Sequence, residues 1–467
     1  MWDEKTIHET VESQRRFFKT NQTLDIKWRK EQLIRLKIAV QTYEKDIAKA
    51  LHEDLGRSET EAYLTDTGVI ITEINEILKG LDKWAKPETH FSGMMCFPST
   101  KTKVFKMPYG VTLIISPFNF PFLLALGVLA ASISAGNTAV IKASSKTPHS
   151  TEVLQKIVSS AFPADYVTVI GGGHDTADLC LNERFDKIFY TGSPKVGMHV
   201  MHKAADHLTP VALELGGENG NWCIVRKDAD LWDAARKIAF FKLLNSGQIC
   251  ININQIAVAE EVADQFIGCL KEEFARQIGE DPLNNPEYPH LINEAAFDKC
   301  EKEAAQYADR IVYGGKGNRG TLKFEPTVIA PVGINEPIVN HELFNPLLPV
   351  VTFRDQDIDQ LLEVISEREH CLALYLFTKD MKWALDTMSK LQYGGGCINE
   401  VCTHLMVKGV PFNGTGHSGM GAYHGEWGFR EFTHPSTVLI GKTKWNLSLR
   451  EHPYHPKALK MLKWFER

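Results

Sequence analysis

The stretch Met107-Pro108-Tyr109-Gly110-Val111-Thr112-Leu113-Ile114-Ile115-Ser116-Pro117-Phe118-Asn119-Phe120-Pro121 runs on to Ile141 without a charged residue or histidine, and its reading decides the fold. It is long enough in principle to span a bilayer. Its punctuation argues otherwise: Pro108, Gly110, Pro117, Asn119, Pro121, Gly127, Gly136 and Asn137 cut it into short pieces. The pieces read as a buried strand at 111–115, a turn at 116–121, a buried helix, and a second strand at 139–142. Strands buried on both faces of a parallel sheet give uninterrupted apolar runs of this kind.

Working outward, short β-branched or aromatic runs at 166–170 and 187–190 follow, separated by helix-length segments. Strand, helix, strand in alternation predicts an open parallel sheet with helices on both faces. A second α/β unit opens at 221–225 and continues through an amphipathic stretch at 230–244, a strand at 255–258 and a helix at 262–277. Further strands are expected at 326–330, 349–353, 372–377 and 436–441. On the N-terminal side, Leu33, Leu36, Val40, Tyr43, Ile47 and Leu51 make one apolar helical stripe, with Gly56 as its stop. A helix over 61–84 comes next, then an edge hairpin or sheet extension at 100–107. The tail beyond 441 reads as polar and aromatic.

A chain of 467 residues is too long for one core, so two or three domains are expected. Hydrophobic residues at 43% and charged residues at 24% are the balance of a soluble globular protein. A net charge of −6 gives no electrostatic reason for a nucleic-acid partner. Nine cysteines are scattered without a CxxC pair or metal-type spacing, and no signal peptide precedes them, which fits a reducing cytoplasm and no metal site.

Four segments carry chemistry. In Asn245-Ser246-Gly247-Gln248-Ile249-Cys250 a cysteine follows a turn whose N–H groups would expose it and lower its pKa from about 8.5; the plainer fate of a single cysteine is a small buried hydrophobe. In Leu213-Glu214-Leu215-Gly216-Gly217 a carboxylate stands in apolar surroundings, where burial raises its pKa toward the range of a general base; a salt-bridged strand-end glutamate is the alternative. Asn119, between two prolines at the carboxyl end of a strand, offers a rigid N–H donor of the type an oxyanion hole needs, or is an ordinary turn asparagine. Finally Thr191-Gly192-Ser193, with Gly197 after it, could cradle a phosphate at a helix N-terminus, although it is not the GxGxxG fingerprint.

Taken in order, Asn119, Lys142, Gly192-Ser193, Glu214, Cys250 and Glu342-Leu343-Phe344 resemble the aldehyde dehydrogenase superfamily from about residue 15 onward. Gly419-Met420-Gly421-Ala422-Tyr423-His424-Gly425 and Trp84-Ala85-Lys86-Pro87-Glu88 resemble its class 3 branch, which acts on aliphatic and aromatic aldehydes. The resemblance implies two open α/β domains, a Rossmann-like cofactor domain (1–98 and 107–215) and a catalytic domain (216–410). It also implies a small β oligomerisation extension (99–106 and 433–445), a homodimer, and a cytoplasmic enzyme with no membrane partner.

The resemblance further implies the chemistry. Cys250 attacks the aldehyde, Asn119 and the Cys250 N–H hold the oxyanion, hydride leaves for NAD or NADP, and Glu214 activates the water that hydrolyses the thioester. Lys142 and Glu342 would reach the two riboses, Ser193 the pyrophosphate, and Phe344 the nicotinamide; for Lys142 a solvated strand end, and for Phe344 core packing, are the plainer fates. Ser145 stands where many NAD-using members carry a glutamate, so NADP use is expected from it and Lys146. Asn345, where glycine is common, puts the backbone beside Glu342 in question. Three rivals remain. An acyl transferase to CoA would not need Glu214, a cysteine hydrolase would need a histidine near Cys250, and a silent scaffold would not need Cys250, Glu214 and Asn119 together.

Overall fold

A computed structural model of the chain describes residues 2–93, 96, 99, 101–444 and 451–465. Thr100 and Trp445, within the expected oligomerisation segments, lie outside the described residues, as do residue 1 and positions 94, 95, 97 and 98 of the first expected domain.

The charge-free run becomes the centre of a six-stranded sheet. Its order is Gly419–Met420, Val211–Leu215, Lys187–Gly192, Val111–Ile115, Thr138–Lys142 and Val167–Ile170, with only the first strand antiparallel to its neighbour. From Val111–Ile115 the chain builds outward to Val167–Ile170, then returns to lay Lys187–Gly192 on the other side. A crevice forms at such a reversal, outside the carboxyl ends of the two strands, and the Asn119 loop and Gly192-Ser193 both emerge there.

Between the strands, a π-helical turn Leu123–Gly127 runs into the helix Val128–Ala135, every residue of which is buried. A helix apolar all round belongs in a core, which is why the sequence shows no amphipathic stripe here. Burying one such Leu or Val contributes about 1.5–3 kcal/mol. Several polar residues in the run are satisfied internally, although the buried Ser116 hydroxyl has no partner. Asn137 accepts from the Gly110 N–H at 2.9 Å and donates to the Phe432 carbonyl at 3.0 Å, and the Thr112 and Ser132 hydroxyls lie 2.9 Å apart. Among the described residues no helix is long and apolar enough to cross a membrane.

The N-terminal stripe is two helices rather than one, Ile26–Thr42 and Glu44–Leu55, with a break at Tyr43 (φ −96°, ψ 15°) and the expected left-handed stop at Gly56. The break preserves the three-and-four spacing, so periodicity alone does not reveal it. The next helix is also composite: Glu59–Ala62, a π-helical turn Tyr63–Thr67, then Gly68–Trp84.

The second unit is a seven-stranded sheet in the order Ile311–Tyr313, Thr327–Ile329, Leu347–Phe353, Gln255–Ala259, Trp222–Val225, Cys371–Phe377 and Tyr393–Ile398. The strand Tyr393-Gly394-Gly395-Gly396-Cys397-Ile398 is absent from the sequence-based expectation, because three successive glycines carry no strand signal. A third sheet pairs Lys101–Pro108 antiparallel with both Glu88–Phe91 and Thr433–Ile440, in agreement with the extension expected at 100–107 and the strand expected at 436–441. The tail contains a helix, Ala458–Phe465, where only a polar and aromatic segment is expected.

Candidate active site

Cys250 is placed by a strained turn. The helix Leu231–Leu243, capped by Asp230 at the Asp233 N–H (3.1 Å), ends in a 3-10 turn with Asn245 (φ 48°, ψ 30°) and Ser246 (φ 52°, ψ 37°) left-handed. Holding a non-glycine residue there costs on the order of 1–3 kcal/mol and persists only where the surroundings over-determine it. They do so here. The Asn245 N–H donates to Glu61 Oε1 at 2.7 Å, and the Asn245 side chain donates to the carbonyls of Asn119 (3.1 Å) and Gln248 (3.0 Å). Gly247 follows at φ 79°, and a Cβ there would stand 2.3 Å from the Asn345 carbonyl oxygen, so the position admits only glycine. Beyond the turn, Asn221 Nδ2 donates to the Cys250 carbonyl at 2.7 Å and to the Asn252 carbonyl at 2.9 Å.

Cys250 departs from expectation in two respects. It is half-buried rather than exposed, and its thiol is pushed up to about 12 rather than lowered. Desolvation is the main cause, and the carboxylates of Glu342 and Glu214 add to it. The N–H groups of Ile251 and Cys250 pull the other way without prevailing.

Glu214 lies near the end of Val211–Leu215, buried, with neither carboxylate oxygen hydrogen-bonded. Among the described residues no cation pairs with it, and burial, with the charge of Glu431 second, holds its carboxyl well above the usual range. Asn119 is buried; its Nδ2 donates to the Gln248 carbonyl at 3.3 Å, two residues before Cys250.

Two cavities meet at these residues. One, of about 820 Å³, is walled by Phe120, Leu124, Phe241, Ile249, Met406 and Tyr423 among other apolar side chains, with Arg236, Lys237 and Arg276 also on its lining. The other, of about 460 Å³, occupies the switch-point crevice. Cys250, Glu214 and Thr191 line both.

The crevice collects most of the expected cofactor residues: Lys142, Ser145, Gly192, Ser193, Glu342 and Phe344 all line it. Lys142 is buried, its Nζ donating to the carbonyls of Ala143 and Gly172 at 2.7 Å each, so it is no solvated strand end. Ser193 holds the N-cap position of the helix Pro194–Ala205 on the crevice side, its side chain making no capping bond. Glu342 leaves Oε1 buried without a partner, and burial raises its carboxyl to about 7. It lies against Gly216, where a Cβ would come within 2.4 Å of its carboxylate. Phe344 meets Phe118 edge-on at 5.9 Å. Asn345 leaves Phe344 left-handed (φ 56°), and its side chain donates to Glu303 at 2.9 Å. Gly197 is the exception. It does not line the crevice but is buried on the sheet-facing side of that helix, its Cβ position 2.8 Å from Leu215 Cδ2, and so serves close helix–sheet packing. An unpartnered buried acceptor, a lysine at the rim and a helix N-terminus fit a dinucleotide. Among the described residues no cluster suits a metal ion.

Sequence reasoning took Thr191 only as part of the phosphate cradle, and it missed Arg57, Glu61, Asp66 and Asn221. Only Asn221, beside a strand start, carries even a faint local signal.

A nucleotide crevice opening onto a half-buried thiol is the arrangement of an NAD(P)-dependent oxidoreductase. Comparison with known proteins narrows the class: the aldehyde dehydrogenase family profile matches residues 1–438, and the chain belongs to that family. It is 36% identical over 441 residues to the 4,4'-diaponeurosporen-aldehyde dehydrogenase of Staphylococcus aureus, covering 94% of this chain and 95% of that one. It is 34% identical over 458 residues to the dimeric, NADP-preferring aldehyde dehydrogenase of Canis lupus familiaris, covering 97% and 99%. Other relatives are named as members of aldehyde dehydrogenase family 3, in line with the class 3 branch. A solved structure of the substrate-bound state of Staphylococcus aureus AldH superposes with a TM-score of 0.94 at 35% identity, covering 99% of both chains. The activity is accordingly NAD(P)-dependent oxidation of an aldehyde.

Proposed function

We propose that Cys250 is the nucleophile of a hydrolytic aldehyde dehydrogenase, with Asn119 as oxyanion donor and Glu214 as the base for water. The observation that carries this reading is the meeting of the apolar tunnel and the dinucleotide crevice at Cys250 and Glu214. Residues 1–98 and 107–215 would hold the cofactor, and 216–410 would hold the nucleophile.

An aldehyde entering by the tunnel presents its carbonyl carbon to the Cys250 sulfur. The thiol must first lose its proton. The carboxylates whose fields reach it are Glu342 and Glu214, and Glu214, which shares both cavities with it, is assigned as acceptor. Attack gives a tetrahedral thiohemiacetal whose oxyanion is held by Asn119 Nδ2 and the Cys250 N–H. When bound, NAD(P) supplies the hydride acceptor. Lys142, Ser193, Glu342 and Phe344 bind and orient it, and Ser145 leaves room for a 2′-phosphate. Once Glu214 has passed the thiol's proton to solvent, it takes a proton from the water that attacks the thioester carbon, and the C–S bond breaks to release the carboxylic acid and the Cys250 thiolate. A buried carboxylate without a partner is costly to keep, which favours such a role for Glu214 and favours water over CoA as acyl acceptor. Histidine is missing from the tunnel lining among the described residues, and His174 is the one in the crevice, which disfavours a cysteine hydrolase.

The tunnel wall suits aliphatic or aromatic aldehydes, and the open edge of Thr433–Ile440, with Val438, Leu439 and Ile440 exposed, is the proposed contact for a second copy in a cytoplasmic homodimer. The test is NAD(P)H formation from a panel of aldehydes with and without CoA. Turnover without CoA, yielding free acid, supports the reading; strict dependence on CoA overturns it.

A further inference from the structure

Resting on the assignment of Cys250 and Asn119 above, we propose that Arg57 is a positioning residue for the reaction. Its guanidinium fastens the loop that carries the oxyanion donor to the loop that carries the nucleophile.

Arg57 is fully buried, although it comes from the N-terminal helical segment rather than from either loop. Nη2 donates to the carbonyl oxygen of Asn119. Nε donates to Oδ1 of Asn245 at 3.0 Å, and Nη1 to Oδ2 of Asp66 at 2.8 Å. The guanidinium also lies over the Phe120 ring, 4.5 Å from its centroid. With Nη1 also reaching the Thr65 hydroxyl at 3.3 Å, the rigid fork serves four acceptors, which a lysine ammonium cannot reproduce in the same geometry.

Asn245 is the other half of the fastening. It is the first of the left-handed residues that lead to Cys250, and its own Nδ2 donates to the same Asn119 carbonyl that Arg57 holds. Glu61 fixes its N–H, and Asp66 accepts from the Leu123 N–H at 2.9 Å with the oxygen that Arg57 does not use. Arg57, Glu61 and Asp66 line neither cavity, so any effect on chemistry passes through the residues they hold. What they hold is the Asn119 backbone. The Asn119 side chain is left with one long bond of 3.3 Å to Gln248, and its aim at a developing oxyanion therefore depends on that backbone being pinned.

The experiment compares Arg57→Lys, Asn245→Ala and Cys250→Ser with the parent enzyme. It measures the pre-steady-state rate of NAD(P)H formation, KM for cofactor and the thermal midpoint. Arg57→Lys keeps a positive charge beside the buried carboxylates. Asn245→Ala leaves all three charges in place and decides the question if the lysine variant does not fold. The expected result is a fall of about 100-fold in the pre-steady-state rate per folded site, the scale of a misplacement near 1 Å, with cofactor KM within about threefold. A lowered midpoint with the rate kept within about threefold in the folded variants would overturn the proposal while inert Cys250→Ser left the catalytic reading standing. Turnover by Cys250→Ser at the parent rate would remove the catalytic reading and this proposal with it.

Discussion

The amide nitrogen of Asn119 lies 3.3 Å from the carbonyl oxygen of Gln248, joining the loop after the central strand of the six-stranded sheet to the turn two residues before Cys250. This bond is long for N–H···O, so the amide is aimed at the site without being consumed by a strong internal partner. The stronger ties of the loop, from Arg57 and Asn245, go to the Asn119 backbone carbonyl instead.

Truncating that side chain should therefore remove the proposed oxyanion donor and leave the loop ties in place. Asn119→Ala is expected to lower kcat by roughly 100- to 1000-fold, with a thermal midpoint close to that of the parent. Steady-state kinetics and a melting curve on the same preparation check both halves.

Glu214→Gln should separate the two halves of the reaction. Both carboxylate oxygens are buried without partners, so an amide of the same shape removes a desolvation penalty and should not lower stability. Acyl-enzyme formation is expected to survive at a reduced rate and hydrolysis to fail. Stopped-flow measurement should show about one NAD(P)H per site, followed by steady turnover at least roughly 100-fold slower than the parent's.

Cofactor affinity should depend on pH through Glu342. Burial raises its carboxyl to about 7, only partly offset by Lys299 and His341. Below that value the group is protonated, and above it the carboxylate accepts hydroxyl donors fully. KM for the cofactor is expected to fall by roughly tenfold as pH rises through this range, in keeping with the strength of hydrogen bonds to charged groups. In Glu342→Gln the dependence should flatten, which a KM series from acid to alkaline buffer would reveal.

Ser145 is exposed at the rim of the crevice, next to Lys146, whose Nζ sits 4.9 Å from the centroid of the Phe118 ring. Ser145→Glu would put a negative charge where a 2′-phosphate is expected. The ratio of kcat/KM for NADP to that for NAD should drop by roughly tenfold, mainly through NADP. An unchanged ratio would mean that the 2′ position is read elsewhere.

Much of the candidate site is legible in the sequence because its residues sit in short segments at strand ends. Asn119 follows a strand, Glu214 nearly ends one, Gly192-Ser193 joins a strand to a helix, and Cys250 follows a glycine turn, so each shows a local pattern. The depth of Cys250 is not legible. A turn signals exposure, but here the turn is folded beneath the other sheet's loops, and desolvation raises the thiol that a surface turn would have lowered. Arg57 is hidden for another reason: its partners Asn119 and Asn245 are 62 and 188 positions away, and nothing in Leu55-Gly56-Arg57-Ser58 marks a buried guanidinium. In the fold, glycines mask the strand Tyr393–Ile398, and unbroken apolar spacing masks the break at Tyr43.

The central claim is a covalent acyl intermediate on Cys250, and trapping it is the direct test. Glu214→Gln, mixed with aldehyde and NAD(P) and quenched in acid, would be digested and its peptides weighed. The account predicts the mass of one acyl group on the peptide containing Cys250 and on no other cysteine peptide. An acyl group on a different residue, or none while NAD(P)H forms in stoichiometric amount, would contradict it.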